Sequence, residues 1–140
     1  MIKKYKYGLE NIDLASKLIV DHIKNYNIFL LEGDLGSGKT TLIKNILRNI
    51  GILENINSPT FSIVNNYIQD DLEVYHFDLY RVKNVDDLYT FGFYEYLESR
   101  KLCFIEWPQR ILKNFDYKHL YIKINTLENF MKEIYPEWKE

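Results

Sequence analysis

Apolar residues recur at helical spacing in "NIDLASKLIVDHIK", where Ala15, Leu18, Ile19 and Ile23 fall on one face, and this spacing predicts an amphipathic helix. "YNIFLL" then runs continuously apolar, as a buried strand does. After a glycine-rich interval, "KTTLIKNILRNIG" returns to helical spacing, with Leu42, Ile43, Ile46 and Leu47 inward and Gly51 as the stop. Downstream, "TFSIVNNY" and "LEVYHFDLYR" are rich in β-formers and are joined by the polar "IQDD", which predicts an antiparallel hairpin. "VDDLYTFGFYEYLES" reads as a helix weakened in its middle by Gly92, "KLCFIEW" as another buried strand, and "HLYIKIN" alternates as an edge strand would. The order predicts a three-layer α/β domain with a central sheet that mixes parallel and antiparallel strands.

Length sharpens this to one domain over residues 1–140, because the chain has material for one core and not two. There is no repeat, low-complexity block or Pro/Gly/Ser linker, and only the last dozen residues read as a candidate appendage. A formal net charge of -2, with 27% charged residues, argues against a free-standing nucleic-acid binder, so any RNA contact is expected to need a partner. The one cysteine, Cys103, sits in an apolar run and can form no internal disulfide; it reads as a small core residue of an intracellular protein. The segment "MIKKYKYGLE" lacks the apolar stretch of a secretory signal and no run is long enough to span a bilayer, so the expected address is the cytoplasm, away from membranes.

The glycine-rich interval carries the chemistry. In "LEGDLGSGKTTL", Gly33 is followed after four residues by Gly38, Lys39 and Thr40, which satisfies the P-loop pattern, and it lies between a predicted strand and a predicted helix as that pattern requires. Gly36 and Gly38 let the backbone turn its N–H groups inward, the helix starting near Lys39 adds its positive end, Lys39 reaches the outer phosphates, and the Thr40 hydroxyl can ligate magnesium. A P-loop alone separates neither hydrolase from kinase nor ATP from GTP. The Asn-Lys-x-Asp stretch with which GTPases read guanine is absent.

A magnesium-site carboxylate belongs at the end of a hydrophobic strand, and Asp78 in "VYHFDLYR" and Glu106 in "CFIEW" both stand at such ends. The alternatives, weaker than the magnesium-site reading, are a turn residue or an ion-pair partner of Arg81 for Asp78 and a surface residue at a strand end for Glu106. With no lysine or histidine beside the "FIEW" strand end, Glu106 is the candidate to hold magnesium directly or to orient the attacking water. Between these elements, "NSPTF" lies where nucleotide-sensing loops sit in P-loop hydrolases. Thr60 there fits a switch that orders on the terminal phosphate, and it fits plain Ser-Pro turn chemistry as well.

"GDLGSGKTT", "SPTF", "HFDLYR" and "FIEWP", in this order and spacing, resemble the TsaE family of bacterial ATPases in the tRNA threonylcarbamoyladenosine pathway, over nearly the whole chain. The resemblance implies a P-loop NTPase-like fold that binds and slowly hydrolyses ATP with Mg2+. It also implies two partner proteins, TsaB and TsaD, with tRNA reached indirectly through their complex and the chain itself a monomer when alone. For residues, it implies Gly36, Ser37, Gly38, Lys39, Thr40 and Thr41 as the phosphate cradle and Thr40 and Glu106 as magnesium ligands. Asp78 follows as an additional acidic group, Thr60 as the switch residue and Trp107 as a neighbour of the nucleotide. Leu9, near Glu10, is assigned to the adenine side by position. The family commonly carries an arginine in the segment after "EWP", where "NTLENFMKEI" offers only Lys132.

Tyr5, Tyr7, Tyr75, Tyr80, Tyr89 and Tyr94 are spread over several elements and read as packing rather than base-stacking platforms. His22, His76 and His119 have no metal-like spacing with one another or with Cys103. Two other classes stay open. A small-molecule kinase would share the P-loop, though it needs a substrate insertion and an arginine-bearing lid for which few residues are left, and an interaction module would bind ATP to hold a partner without turnover.

Overall fold

The computed structural model describes residues 4–57, 59 and 63–139, with 135–139 described by their backbone alone. Among these residues seven strands, β1 (Tyr5–Tyr7), β2 (Ile28–Glu32), β3 (Val64–Gln69), β4 (Leu72–Asp78), β5 (Leu102–Glu106), β6 (His119–Thr126) and β7 (Lys132–Lys139), form one sheet. Its order is β1-β7-β6-β2-β5-β4-β3. The centre, β6-β2-β5-β4, is parallel, while β7 on β6, β1 on β7 and β3 on β4 are antiparallel.

The pleat explains the continuous apolar runs. Along β2, Phe29 and Leu31 enter one core and Ile28 and Leu30 the other; along β5, Phe104 enters the first and Cys103 and Ile105 the second. A strand buried on both faces has no polar face to show in sequence. The first core is closed by helices α1 (Ile12–Val20) and α2 (Lys39–Asn49), the second by α3 (Asp86–Thr90) and α4 (Phe93–Glu98). The result is the expected three-layer α/β domain with a mixed sheet. Stacking of Phe29 on Phe104 at 5.0 Å ties β2 to β5, and Phe77 meets Phe93 edge-on at 5.0 Å to seat α4 on β4. Each such fully buried side chain contributes about 1.5–3 kcal/mol. Cys103 is fully buried, its thiol donating weakly to the carbonyls of Tyr96 (3.7 Å) and Lys101 (3.6 Å). Burial pushes the thiol pKa up to about 12.

Several expectations are corrected. "HLYIKIN" is no edge: β6 lies between β2 and β7, and the supposed appendage is β7, which supplies the outer ladder from Lys132 to Lys139. The helix expected over 85–99 is two short helices, because Gly92 takes a left-handed conformation and starts a second one. α1 stops at Val20, and Ile23 packs on the core from the turn that follows. Of the tyrosines read as packing, Tyr80 and Tyr89 are exposed. The hairpin is as expected, with Val64–Gln69 paired to Leu72–Phe77, and α2 buries Leu42, Ile43, Ile46 and Leu47 completely. No helix among the described residues is long and apolar enough to cross a membrane.

Candidate functional site

β2, β5 and β4 run parallel and end together, so whatever follows their carboxyl ends converges in space. After β2 comes the glycine loop, after β5 comes Trp107, and the last residue of β4 is Asp78, in register with Glu106. They line one cleft of about 310 Å³, formed by Leu35 to Thr41 with Asp78, Glu106 and Trp107. A neighbouring cavity of about 370 Å³, bounded by Glu32, Asp34 and Asn125, shares Ser37 with this cleft but lacks Lys39, Thr40, Asp78, Glu106 and Trp107.

Two glycines shape the loop. A Cβ on Gly33 would lie 2.4 Å from Ser37 Oγ and 3.0 Å from the Ile124 carbonyl, so only hydrogen lets the loop fold onto β6. Gly38 sits at φ 97°, a left-handed conformation that costs other residues about 1–2 kcal/mol, and it caps α2 without any side-chain hydrogen bond. The first-turn amides of α2 therefore have no side chain competing for them and point, with the positive end of the helix dipole, into the cleft.

Lys39 is buried on the loop, with Nζ donating to the carbonyls of Gly33 (2.5 Å) and Asp34 (3.1 Å) and lying 4.1 Å from the centroid of the Trp107 ring. Burial lowers its pKa, and the charges of Glu106, Asp78 and Asp34 oppose that shift. A second cation arrives from β7. Lys132 Nζ donates to the Gly36 carbonyl (3.4 Å) and to Thr126 Oγ1 (3.1 Å), and its Cε lies 3.8 Å from where a Gly38 Cβ would be. The C-terminal strand thus brings a lysine to the loop.

Thr40 and Glu106 meet directly: Thr40 Oγ1 lies 3.0 Å from Oε1 and 2.8 Å from Oε2 of the carboxylate. Glu106 is buried rather than a surface residue. Asp78 is half-buried beside it, and its Oδ1 accepts the Tyr80 N–H at 3.0 Å, so it also serves the turn. One expectation fails here. Glu106 does have a histidine and a lysine beside it, because His76 Nε2 lies 2.6 Å from Glu106 Oε2 and the Lys39 charge faces the same carboxylate. Trp107 stands at φ 59°, its ring 4.8 Å from that of Tyr80.

The donor set fits a nucleoside triphosphate with a hard divalent cation. Uncapped helix amides and two ammonium groups suit phosphate, and a hydroxyl with two carboxylates, all oxygen, suits magnesium. Gly36 to Thr41, Asp78, Glu106 and Trp107 are gathered in one place as expected. Leu9 is exposed in the turn before α1 and does not line this cleft, and Thr60 lies outside the described residues. His76 and the contact made by Lys132 were missed; "HFD", which puts His76 and Asp78 on one face of a strand, was the available signal.

The family model described as "Threonylcarbamoyl adenosine biosynthesis protein TsaE" matches residues 8–134. The chain is 35% identical over 121 residues to the tRNA threonylcarbamoyladenosine biosynthesis protein TsaE of Haemophilus influenzae, covering 80% of this chain and 75% of that protein. It is 34% identical over 125 residues to the protein of the same name in Bacillus subtilis, covering 89% of this chain and 78% of that one. Among solved structures, the crystal structure of Bacillus subtilis YdiB is similar, with a TM-score of 0.72 and 28% identity over 99% of this chain and 88% of that chain.

Proposed function

The chain belongs to the TsaE family, whose role is in tRNA threonylcarbamoyladenosine biosynthesis, and from that premise we propose that it is a magnesium-dependent ATPase acting on a TsaB–TsaD complex. The observation that carries the ATPase reading is the direct contact of Thr40 with Glu106 at the mouth of a P-loop whose helix is uncapped. Lys39 and Lys132 bind the phosphates together with the α2 amides. Thr40 and Glu106 would hold the magnesium, with Asp78 beside them as the additional acidic group. Held there, magnesium would supply neutralisation of the phosphate charge. Glu106 otherwise orients the attacking water.

The reading extends to partners. The chain is a monomer that turns over ATP slowly, and the TsaB–TsaD pair raises the rate, with tRNA reached only through that complex. Thr60, with Arg81 and the surface around it, contributes to docking in the ATP-bound form. Linkage then requires ATP to bind more tightly in the complex than to the free chain.

Radiolabelled ATP tests this with the purified chain alone, with candidate metabolites, and with TsaB and TsaD. Free phosphate that rises with the partners is the expected result; label on a metabolite means a kinase, and binding without turnover means an interaction module. Thr60→Ala should weaken nucleotide-dependent pull-down of the partner pair more than it weakens ATP binding by the isolated chain. Docking that ignores the nucleotide would remove the switch.

A further inference from the structure

Under the cleft lies a buried polar side chain to which the ATPase reading gives no role. His76 is fully buried on β4, on the face where its strand neighbours Leu72 and Val74 are apolar. Its Nε2 lies 2.6 Å from Glu106 Oε2, and its Nδ1 has no hydrogen-bond partner among the described residues. An ionised carboxylate oxygen only accepts, so Nε2 carries the proton of this contact. Nδ1 has no acceptor to serve, and a bare lone pair there is tolerated unbonded far better than a buried N–H would be. The pairing therefore selects the tautomer.

The two oxygens of Glu106 are not equivalent. Oε2 receives His76 and stands 2.8 Å from Thr40 Oγ1, while Oε1 is 3.0 Å from the same hydroxyl and has no bond to the histidine. Both oxygens reach the Thr40 hydroxyl, but only Oε2 is also anchored to the sheet through His76, which leaves Oε1 the one not held by the histidine. A histidine serving only the core would do better with both ring nitrogens bonded or with an apolar ring in its place. The single hydrogen bond that its polarity provides goes to Glu106.

We propose that His76 is a positioning residue for the cation that accompanies the nucleotide: its Nε2–H pins Oε2 of Glu106 and so sets the rotation of the carboxylate, presenting Oε1 and the Thr40 hydroxyl together. This rests on the ATPase reading of the cleft. A partner that orients a ligating carboxylate changes metal affinity by about 10–100-fold when lost.

The test compares the native chain with His76→Leu, which removes the donor, and His76→Gln, whose amide nitrogen can donate in place of Nε2. ADP affinity is measured by titration calorimetry in EDTA, and Mn2+ binding to the ADP complex by electron paramagnetic resonance of the free ion, with melting curves for all three proteins. The expected result is metal-free ADP affinity within about twofold of native in both variants. Mn2+ affinity should fall about 10–100-fold in His76→Leu and largely recover in His76→Gln. Native Mn2+ affinity in His76→Leu overturns the positioning role while leaving the ATPase reading intact. An equal loss in the folded Gln variant overturns it too, because the effect would then follow ring packing rather than the donated proton. If the native chain binds no ADP, or binds it without any coupling to Mn2+, the reading of the cleft fails and the role of His76 fails with it.

Discussion

Replacing Lys39 by methionine keeps the aliphatic stem and removes the ammonium, which isolates the charge. In the structure that ammonium bonds two backbone carbonyls and sits over the Trp107 ring. To hold phosphate it must exchange two neutral acceptors, each contributing about 0.5–1.5 kcal/mol, for charged ones at about 1.5–3 kcal/mol. The net gain is about 2–3 kcal/mol, so Lys39→Met should raise the dissociation constant for ATP roughly 30–150-fold. Titration calorimetry with and without magnesium reads this, and a melting curve confirms that the variant is folded. The same variant tests the cause of the lowered pKa. Burial makes the folded chain hold the Lys39 proton less tightly than the unfolded chain does. Between the folded pKa and the ordinary value of 10.5 the unfolded state binds more protons, and there the native chain gains stability as pH rises. Below that window the penalty is constant, so any melting advantage of Lys39→Met should shrink as pH climbs toward 10.5. Unchanged ATP affinity in a folded variant would refute the P-loop assignment, and an advantage that grows with alkaline pH would refute burial as the cause.

Glu106→Gln should retain most nucleotide binding while hydrolysis drops by about two orders of magnitude, the usual scale for one positioned catalytic group; a phosphate-release assay at the wild-type rate would show the site misread. Gly38→Ala meets no steric obstacle nearer than the Lys132 Cε at 3.8 Å, so its cost is backbone strain. Urea unfolding should reveal a loss of about 1–2 kcal/mol, and an unchanged midpoint would mean that the α2 amides are not held by the left-handed turn.

What could be read in advance tracks how local each feature is. The strand–loop–helix around Lys39 was legible because its glycines, its lysine and the apolar periods of β2 and α2 lie within about two dozen residues. β7 was not. "KEIYPEWK" interleaves charges with Ile134 and contains Pro136, which argues against an inner strand. Pro136 pairs with Ile122 on one side, and it lies beyond the three pairs, Tyr5 to Tyr7 with Ile134 to Lys132, that β1 makes on the other. With β7 unread, β6 looked like an edge. The contact of His76 with Glu106 spans 30 positions and exists only because the parallel register sets Asp78 opposite Glu106 and His76 opposite Phe104. No local pattern encodes a register between strands separated by two helices.

Cys103 turns the middle of this sheet into a clock. Its thiol is sealed between β2 and β4 on the face that α4 covers, and a pKa near 12 leaves almost no thiolate at neutral pH. A disulfide reagent can react only after β5 has parted from its neighbours, so labelling measures how often the parallel centre opens under native conditions. Because the same strand carries Glu106 at its end, a ligand held in the cleft slows that opening in proportion to its occupancy. The tick rate of one sulfur atom then reports saturation of a site that begins at Glu106, further along the same strand, with the protein otherwise unmodified.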